Sequence, residues 1–196
     1  MKILAVSDEE SSYIWDYFDR SAFDGVELVV SCGDLCRDYL EFLATLLPVP
    51  LFYVPGNHDK RFITHPPGGC VNIDGRLETY KGLRICGLGG CKSLNPCAAY
   101  EYSEPVMARR AQKLRRAISR AGGLDIFVTH APAEGLGDGS DSFHKGFAAF
   151  TRLLEDCRPK IYFFGHQHKR YGRVDTPEEY HGVRLVNACG YKIVTL

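Results

Sequence analysis

The chain has 196 residues, 45% of them apolar and 24% charged, a balance that suits one globular unit with a full hydrophobic core and excludes a disordered polar segment. Its 24 basic and 24 acidic residues cancel to a formal net charge of zero. That balance argues against a protein whose main work is neutralising a nucleic-acid backbone and suits a small phosphorylated substrate better.

The N-terminus enters an apolar strand at once, over residues 3–6, without the basic region and long apolar stretch of a signal peptide. No run of 18 apolar residues is present to span a bilayer, so the expected place is the cytoplasm, with no membrane partner. Helical character follows over residues 12–23, then a strand at 28–31, a helix at 39–47 closed by Pro48 and Pro50, and a strand at 51–54. Residues 71–73, 77–80 and 83–88 read as hairpin-like strands turning at Asp74-Gly75 and Lys81-Gly82. A helix at 104–121 has Pro105 near its start and Gly122-Gly123 as its stop. A strand at 126–129, a helix at 147–157 and a strand at 161–164 follow, and the tail offers strands at 171–174, 183–188 and 191–195. The runs at 3–6, 28–31, 51–54, 126–129 and 161–164 are continuously apolar, as in strands buried on both faces. The expected fold is α/β, with two packed sheets flanked by helices and one domain spanning residues 1–196.

Each of those five runs is followed by residues that bind cations: Ser7-Asp8, Gly33-Asp34, Gly56-Asn57-His58-Asp59, His130, and Gly165-His166-Gln167-His168. In open α/β sheets, ligands bind outside the carboxyl ends of the strands. One histidine at a strand end is ordinarily a satisfied structural residue; five coincidences reverse that reading. Gly33, Gly56 and Gly165 let the backbone turn sharply just before the ligand. Mixed oxygen and nitrogen donors suit Mn, Fe, Zn or Ni better than calcium. Two such ions about 3.5–4 Å apart would activate a bridging hydroxide and clamp both oxygens of a displacement at phosphorus.

Asp8-x-Glu10, Gly33-Asp34, Gly56-Asn57-His58-Asp59, Thr129-His130-Ala131-Pro132 and Gly165-His166-Gln167-His168 resemble, in order, the motifs of calcineurin-like metallophosphoesterases. The resemblance covers nearly the whole chain. It implies a four-layer double β-sandwich flanked by helices and two divalent ions, Mn favoured, with Fe, Ni, Zn or Mg possible. One site would use Asp8, Glu10, Asp34 and His168, the other Asp34, Asn57, His130 and His166, with Asp34 bridging. His58 would act as general acid toward the leaving oxygen, with Asp59 setting its protonation and orientation. The family's first motif is usually Asp-x-His, and Glu10 departs from it; as a ligand, its carboxylate would bias that site toward Mn or Mg, and otherwise it only lines the pocket.

The expected activity is hydrolysis of a small phosphodiester. The alternatives are a phosphomonoesterase or phosphoprotein phosphatase on the same site, and a metallophosphoesterase-like protein-binding scaffold, which has no need of His58. Nucleic acid is possible as a substrate but not favoured, because an exonuclease would need a larger basic groove. Nothing in the sequence fixes an oligomeric state. The loops at 61–69 and 134–145 are the expected selectors of substrate, and His144 lies where it could reach the site. His65 and His181 read as surface histidines, and Tyr100 and Tyr102 as pocket rim or plain packing. The eight cysteines read as free small apolar residues, the basic stretch from Arg109 to Arg116 as a solvated helix face, and Gly87-Leu88-Gly89-Gly90 as a tight turn.

Overall fold

A computed structural model describes residues 1–93, 97–141, 144–167 and 176–196. Strands β1 (Lys2–Ser7), β2 (Val26–Ser31), β3 (Leu51–Tyr53) and β4 (Cys70–Asn72) lie side by side and parallel. Next come β5 (Leu77–Tyr80) and β6 (Leu83–Leu88), and a short parallel pair, β7 (Cys91–Lys92) and β8 (Glu101–Tyr102). Strands β9 (Ile126–Thr129), β10 (Ile161–Phe164), β11 (Glu179–Tyr180) and β12 (Val183–Asn187) extend the second sheet in the order β11-β12-β10-β9-β6-β5. The last strand, β13 (Gly190–Thr195), returns to pair antiparallel with β1 and gives the first sheet the order β13-β1-β2-β3-β4.

Successive side chains of a strand point to opposite faces, which sorts the apolar runs into two layers each. Ile3, Ala5, Leu28 and Val30 of the first sheet meet Ile126, Val128, Ile161 and Phe163 of the second in one buried cluster between the sheets. Leu4, Val6 and Val29 face outward against Ile14 of α1 (Ser12–Trp15) and Tyr39, Leu40 and Leu43 of α2 (Arg37–Leu46). On the far side Phe127, Tyr162 and Phe164 pack against Met107, Leu114 and Ile118 of α3 (Glu104–Arg120) and Phe150 and Leu153 of α4 (Ala148–Cys157). The result is the expected layering of helices, sheet, sheet and helices. No helix among the described residues is long and apolar enough to cross a membrane.

Two local expectations fail for physical reasons. The helix read over 12–23 ends at Trp15 and resumes only as a 3-10 turn at Arg20–Phe23. Asp19 accepts from the backbone N–H and hydroxyl of Ser21 at 2.9 and 2.7 Å, a local bond that competes with helix, while Phe18 stacks on Phe23 at 5.4 Å. The second failure is residues 71–73, which form no hairpin with 77–80. Their strand β4 lies parallel to β3 in the first sheet, because Ile73 is buried between the sheets while Asp74-Gly75 crosses to the second. Lys81-Gly82, both with positive φ, does turn the β5–β6 hairpin. The strand expected at 171–174 lies outside the described residues.

Asp125 ties together the entry points of three neighbouring strands. It accepts from the Arg84 backbone N–H at 3.0 Å and from Arg84 Nε at 2.8 Å, and pairs with Lys160 Nζ at 3.1 Å. Burial opposes its charge, but these donors outweigh burial and hold the carboxyl at about 2. A depressed acid stabilises the fold above its ordinary value near 3.8 and loses that contribution as the pH falls through about 2. Asp125→Asn is therefore expected to cost about 2 kcal/mol in urea unfolding at pH 7, with the difference from wild type vanishing toward pH 2.

Candidate metal centre

The five strands that end in polar motifs deliver them to one edge of the sandwich. Asp8 follows β1, Asp34 follows β2, Asn57 follows β3, His130 follows β9 and His166 follows β10. Asp8, Asp34 and His166 sit in the left-handed region at φ 65, 56 and 66. Each such residue costs on the order of 1 kcal/mol, and strain of this kind gathers at functional sites. Packing of the glycines enforces it: a Cβ on Gly56 would collide with the Asp34 carboxylate, and one on Gly165 with Ser7 and Asp8.

The site is built around His130, which is fully buried. Its Nδ1 lies 2.8 Å from the Cys32 carbonyl, which assigns the ring proton to Nδ1 and leaves Nε2 a lone pair. That Nε2 faces Asn57 Oδ1 at 3.0 Å, His166 Nδ1 at 3.1 Å and Asp34 Oδ2 at 3.3 Å. Ligand atoms of Asp34, His130 and His166 lie within 4.8 Å of one another. Carboxylate, amide and imidazole lone pairs thus converge on one point, an arrangement that repels itself unless a cation stands there. Without an ion a proton takes that place. Burial opposes charge on His130, yet Asp34 beside it raises the imidazole to about 9. Burial likewise works against the Asp34 carboxylate, and His130 and the His58 N–H outweigh it to hold Asp34 at about 2.

Around this cluster the other sequence-predicted residues take distinct places. Both Asp8 carboxylate oxygens accept from the His166 N–H, at 3.0 and 2.9 Å, linking the first and last motifs. Glu10 is exposed and its Oε1 accepts from the Cys36 N–H at 2.9 Å, at the head of α2. His58 stands largely in solvent, its Nε2 4.0 Å from Asp34 Oδ2. Asp59 is buried and its Oδ2 accepts from the N–H groups of Gly56 and Asp34 at 2.7 and 2.8 Å, clamping two ligand loops together. Burial, with the Asp34 charge nearby, raises its carboxyl to about 6. His168 lies outside the described residues. The His144 ring sits 5.4 Å from the ring of His166 and pairs with Asp141 at 2.8 Å, so this loop histidine does arrive beside the cluster. His181 is exposed, and His65, also exposed, lines a cavity that opens onto Asp34 and His58.

Behind the cluster is a brace that sequence reasoning missed. Arg110 grips both oxygens of Asp74 at 2.7 Å and lies 4.4 Å over the Tyr102 ring, and Asp74 also accepts from the Gly89 N–H at 2.7 Å. Gly90 in turn donates to Pro55 O at 2.8 Å and accepts from the Ala131 N–H at 3.3 Å. The loop read as a plain tight turn thereby holds the backbone beside Asn57 and His130. Arg110, assigned to a solvated helix face, is mostly buried by this contact.

Fold and donor set together fit a metal-binding phosphoesterase. The chain belongs to the calcineurin-like phosphoesterase family, whose model matches residues 1–170, and with it to enzymes of metal-dependent phosphoester hydrolysis. One solved structure is similar with a TM-score of 0.71 at 14% identity, over 98% of this chain and 94% of the other. TT1561 of Thermus thermophilus is similar with a TM-score of 0.60 at 16% identity, over 96% and 88% of the two chains. GAP50, the anchor in the inner membrane complex of Plasmodium, is similar with a TM-score of 0.50 at 13% identity, over 96% of this chain and 71% of its own. At these identities the likeness is one of fold. No curated protein matches the chain.

Proposed function

We propose that this chain is a phosphodiesterase that holds two divalent ions, Mn favoured, and hydrolyses a small phosphoester. The observation that carries the reading is the convergence of Asp34, Asn57 and His166 on the Nε2 of buried His130. Asp34, Asn57, His130 and His166 would hold one ion. Asp8, His168 and Glu10 would hold the other, with Asp34 shared. When bound, the ions supply Lewis-acid stabilisation of phosphoryl charge and a water acidic enough to ionise near neutrality. The chain's own groups do the rest. Asp59 fixes the spacing of the Asp34 and Asn57 loops through two backbone N–H groups, and Asp8 fixes the His166 turn. His58, exposed with its Nε2 4.0 Å from Asp34 Oδ2, would meet a departing oxygen and protonate it. A reducing compartment such as the cytoplasm suits the eight free cysteines.

Hydrolysis of bis-p-nitrophenyl phosphate and p-nitrophenyl phosphate, after metal removal and re-addition of Mn, Ni, Zn or Mg, tests this reading. Diester turnover restored by metal supports it, and a preference for the monoester moves the protein to the phosphomonoesterases. Failure on both esters with every metal would leave a protein-binding scaffold. His58→Ala sharpens the assignment. It is expected to lower kcat about 10²–10⁴-fold on an unactivated alkyl diester and far less on bis-p-nitrophenyl phosphate, because p-nitrophenolate leaves without a proton. Equal losses on the two diesters would remove His58 from the acid role.

A further inference from the structure

A cavity of about 810 Å³ opens on the candidate centre from the side of His58, and Asp34, His58, Arg61, Phe62, Thr64 and His65 are among the residues that line it. That volume is far more than one phosphoryl group needs and lies within the roughly 300–1,000 Å³ of small-ligand pockets. Arg61, Thr64 and His65, in the stretch that begins with the 3-10 turn Lys60–Ile63, all line this space, and the Thr64 hydroxyl also lies 3.4 Å from the Arg61 carbonyl. Thr64 Oγ1 lies 2.9 Å from His65 Nδ1, which fixes the imidazole against the hydroxyl. Buried Phe62 adds an apolar side. Arg37 and Asp38 line the cavity too, but Arg37 is matched by Glu41 at 2.7 Å. Arg61 has no acidic partner among the described residues. A guanidinium with no carboxylate in ion-pair contact, on the same cavity wall as an imidazole, is a donor set that recognises a phosphoryl group, although Asp38 shares that cavity.

We propose that this cavity receives the departing half of the substrate and that Arg61, with Thr64 and His65, binds a second phosphoryl group carried on it. The substrate class is then a phosphodiester whose leaving alcohol is itself phosphorylated. The inference rests on the phosphoesterase reading and on the assignment of His58 to the leaving side. In the reaction the oxygen of water joins phosphorus and its proton passes to solvent, the bond from phosphorus to the alcohol oxygen breaks, and that oxygen takes the proton from His58, which solvent then restores. The second phosphoryl group stays intact and serves only to anchor.

The test compares two dinucleotides that differ by one terminal phosphate. Hydrolysis of 5′-phosphoadenylyl-adenosine at the bond to the 3′ oxygen releases AMP as the leaving alcohol, whereas adenylyl-adenosine releases uncharged adenosine. For the Mn-loaded enzyme, kcat/KM is expected to be at least tenfold higher for the phosphorylated dinucleotide, and Arg61→Ala should bring that ratio close to one. Equal rates for the two substrates in wild type, or an Arg61→Ala variant that lowers both by the same factor, overturns the inference. Bis-p-nitrophenyl phosphate run alongside separates this outcome from failure of the phosphoesterase reading, in which no diester is turned over. A second measurement needs no turnover: calorimetric titration of the Mn-loaded protein with adenosine 3′,5′-bisphosphate and adenosine 3′-monophosphate. Tighter binding of the bisphosphate that Arg61→Ala abolishes supports the second subsite, and equal affinities overturn it.

Discussion

Asp34→Asn is expected to lower kcat/KM on bis-p-nitrophenyl phosphate by at least about 10³-fold and to leave the protein with well under its wild-type metal content. Two features of the site set this magnitude. Asp34 is the carboxylate of the three-residue cluster, so its loss removes the charge that draws a divalent ion between His130 and His166. It is also the buried partner of His130, and breaking such a pair costs about 3–5 kcal/mol where the remaining charge has no other partner. Asparagine keeps an oxygen to accept the His58 N–H, so the loop should persist while its charge is gone. Elemental analysis and steady-state kinetics on the same preparation decide the matter; full metal content with activity within tenfold of wild type would sink the bridging assignment.

The same pair predicts a pH signature in metal-free protein. His130 is raised from 6.5 to about 9, so its contribution is fully present below 6.5 and is lost as the pH rises through about 9. Asp34 is lowered from 3.8 to about 2, so the pair is also lost as the pH falls through about 2. These are two limbs of one interaction and count once. Asp34→Asn should flatten the alkaline limb.

The parts of the molecule visible in the sequence are those set by local pattern. The continuous apolar runs that became β1, β2, β3, β9 and β10 carry burial on both faces in their composition, and the polar residue after each run marks a strand end. What stayed hidden depends on partners far away in the chain. The carbonyl that sets the His130 tautomer belongs to Cys32, 98 residues away, and no side-chain pattern announces a backbone acceptor. Arg110 looks like one more solvated arginine until Asp74, 36 residues earlier, is folded against it. Asp59, which the resemblance pairs with His58, holds the backbone of Asp34 and Gly56, and only the close approach of the two loops reveals it. The run from Ser12 to Phe23 misled because aromatic spacing suits a helix while Asp19 caps a tighter turn.

Gly33→Ala is expected to be among the most destructive changes of a single methyl group, costing at least about 4 kcal/mol, at the extreme of single-site effects, and abolishing metal binding. Part of the cost is conformational, since Gly33 sits at φ +95, where a side chain is strained. The larger part is steric. A Cβ there would run into the Gly56 nitrogen and lie 2.8 Å from its Cα, and this neighbour is the backbone that leads directly into Asn57 rather than the flexible end of a side chain. Relief would have to move the Gly56 loop, which Asp59 fastens to Asp34, or the Gly33 carbonyl, which accepts from the Asp8 N–H at 3.1 Å and the Ser7 hydroxyl at 3.2 Å. Three of the five ligand-bearing loops thus meet at one glycine. Gly75→Ala isolates the conformational part, because Gly75 has φ +70 but a Cβ there meets nothing within 4 Å, so its expected cost is about 1 kcal/mol. Urea unfolding of the two variants, with metal titration of each, separates strain from collision. If Gly33→Ala were as mild as Gly75→Ala, the loops would have slack to part, and the spacing of Asp8, Asp34 and Asn57 would have to be set elsewhere.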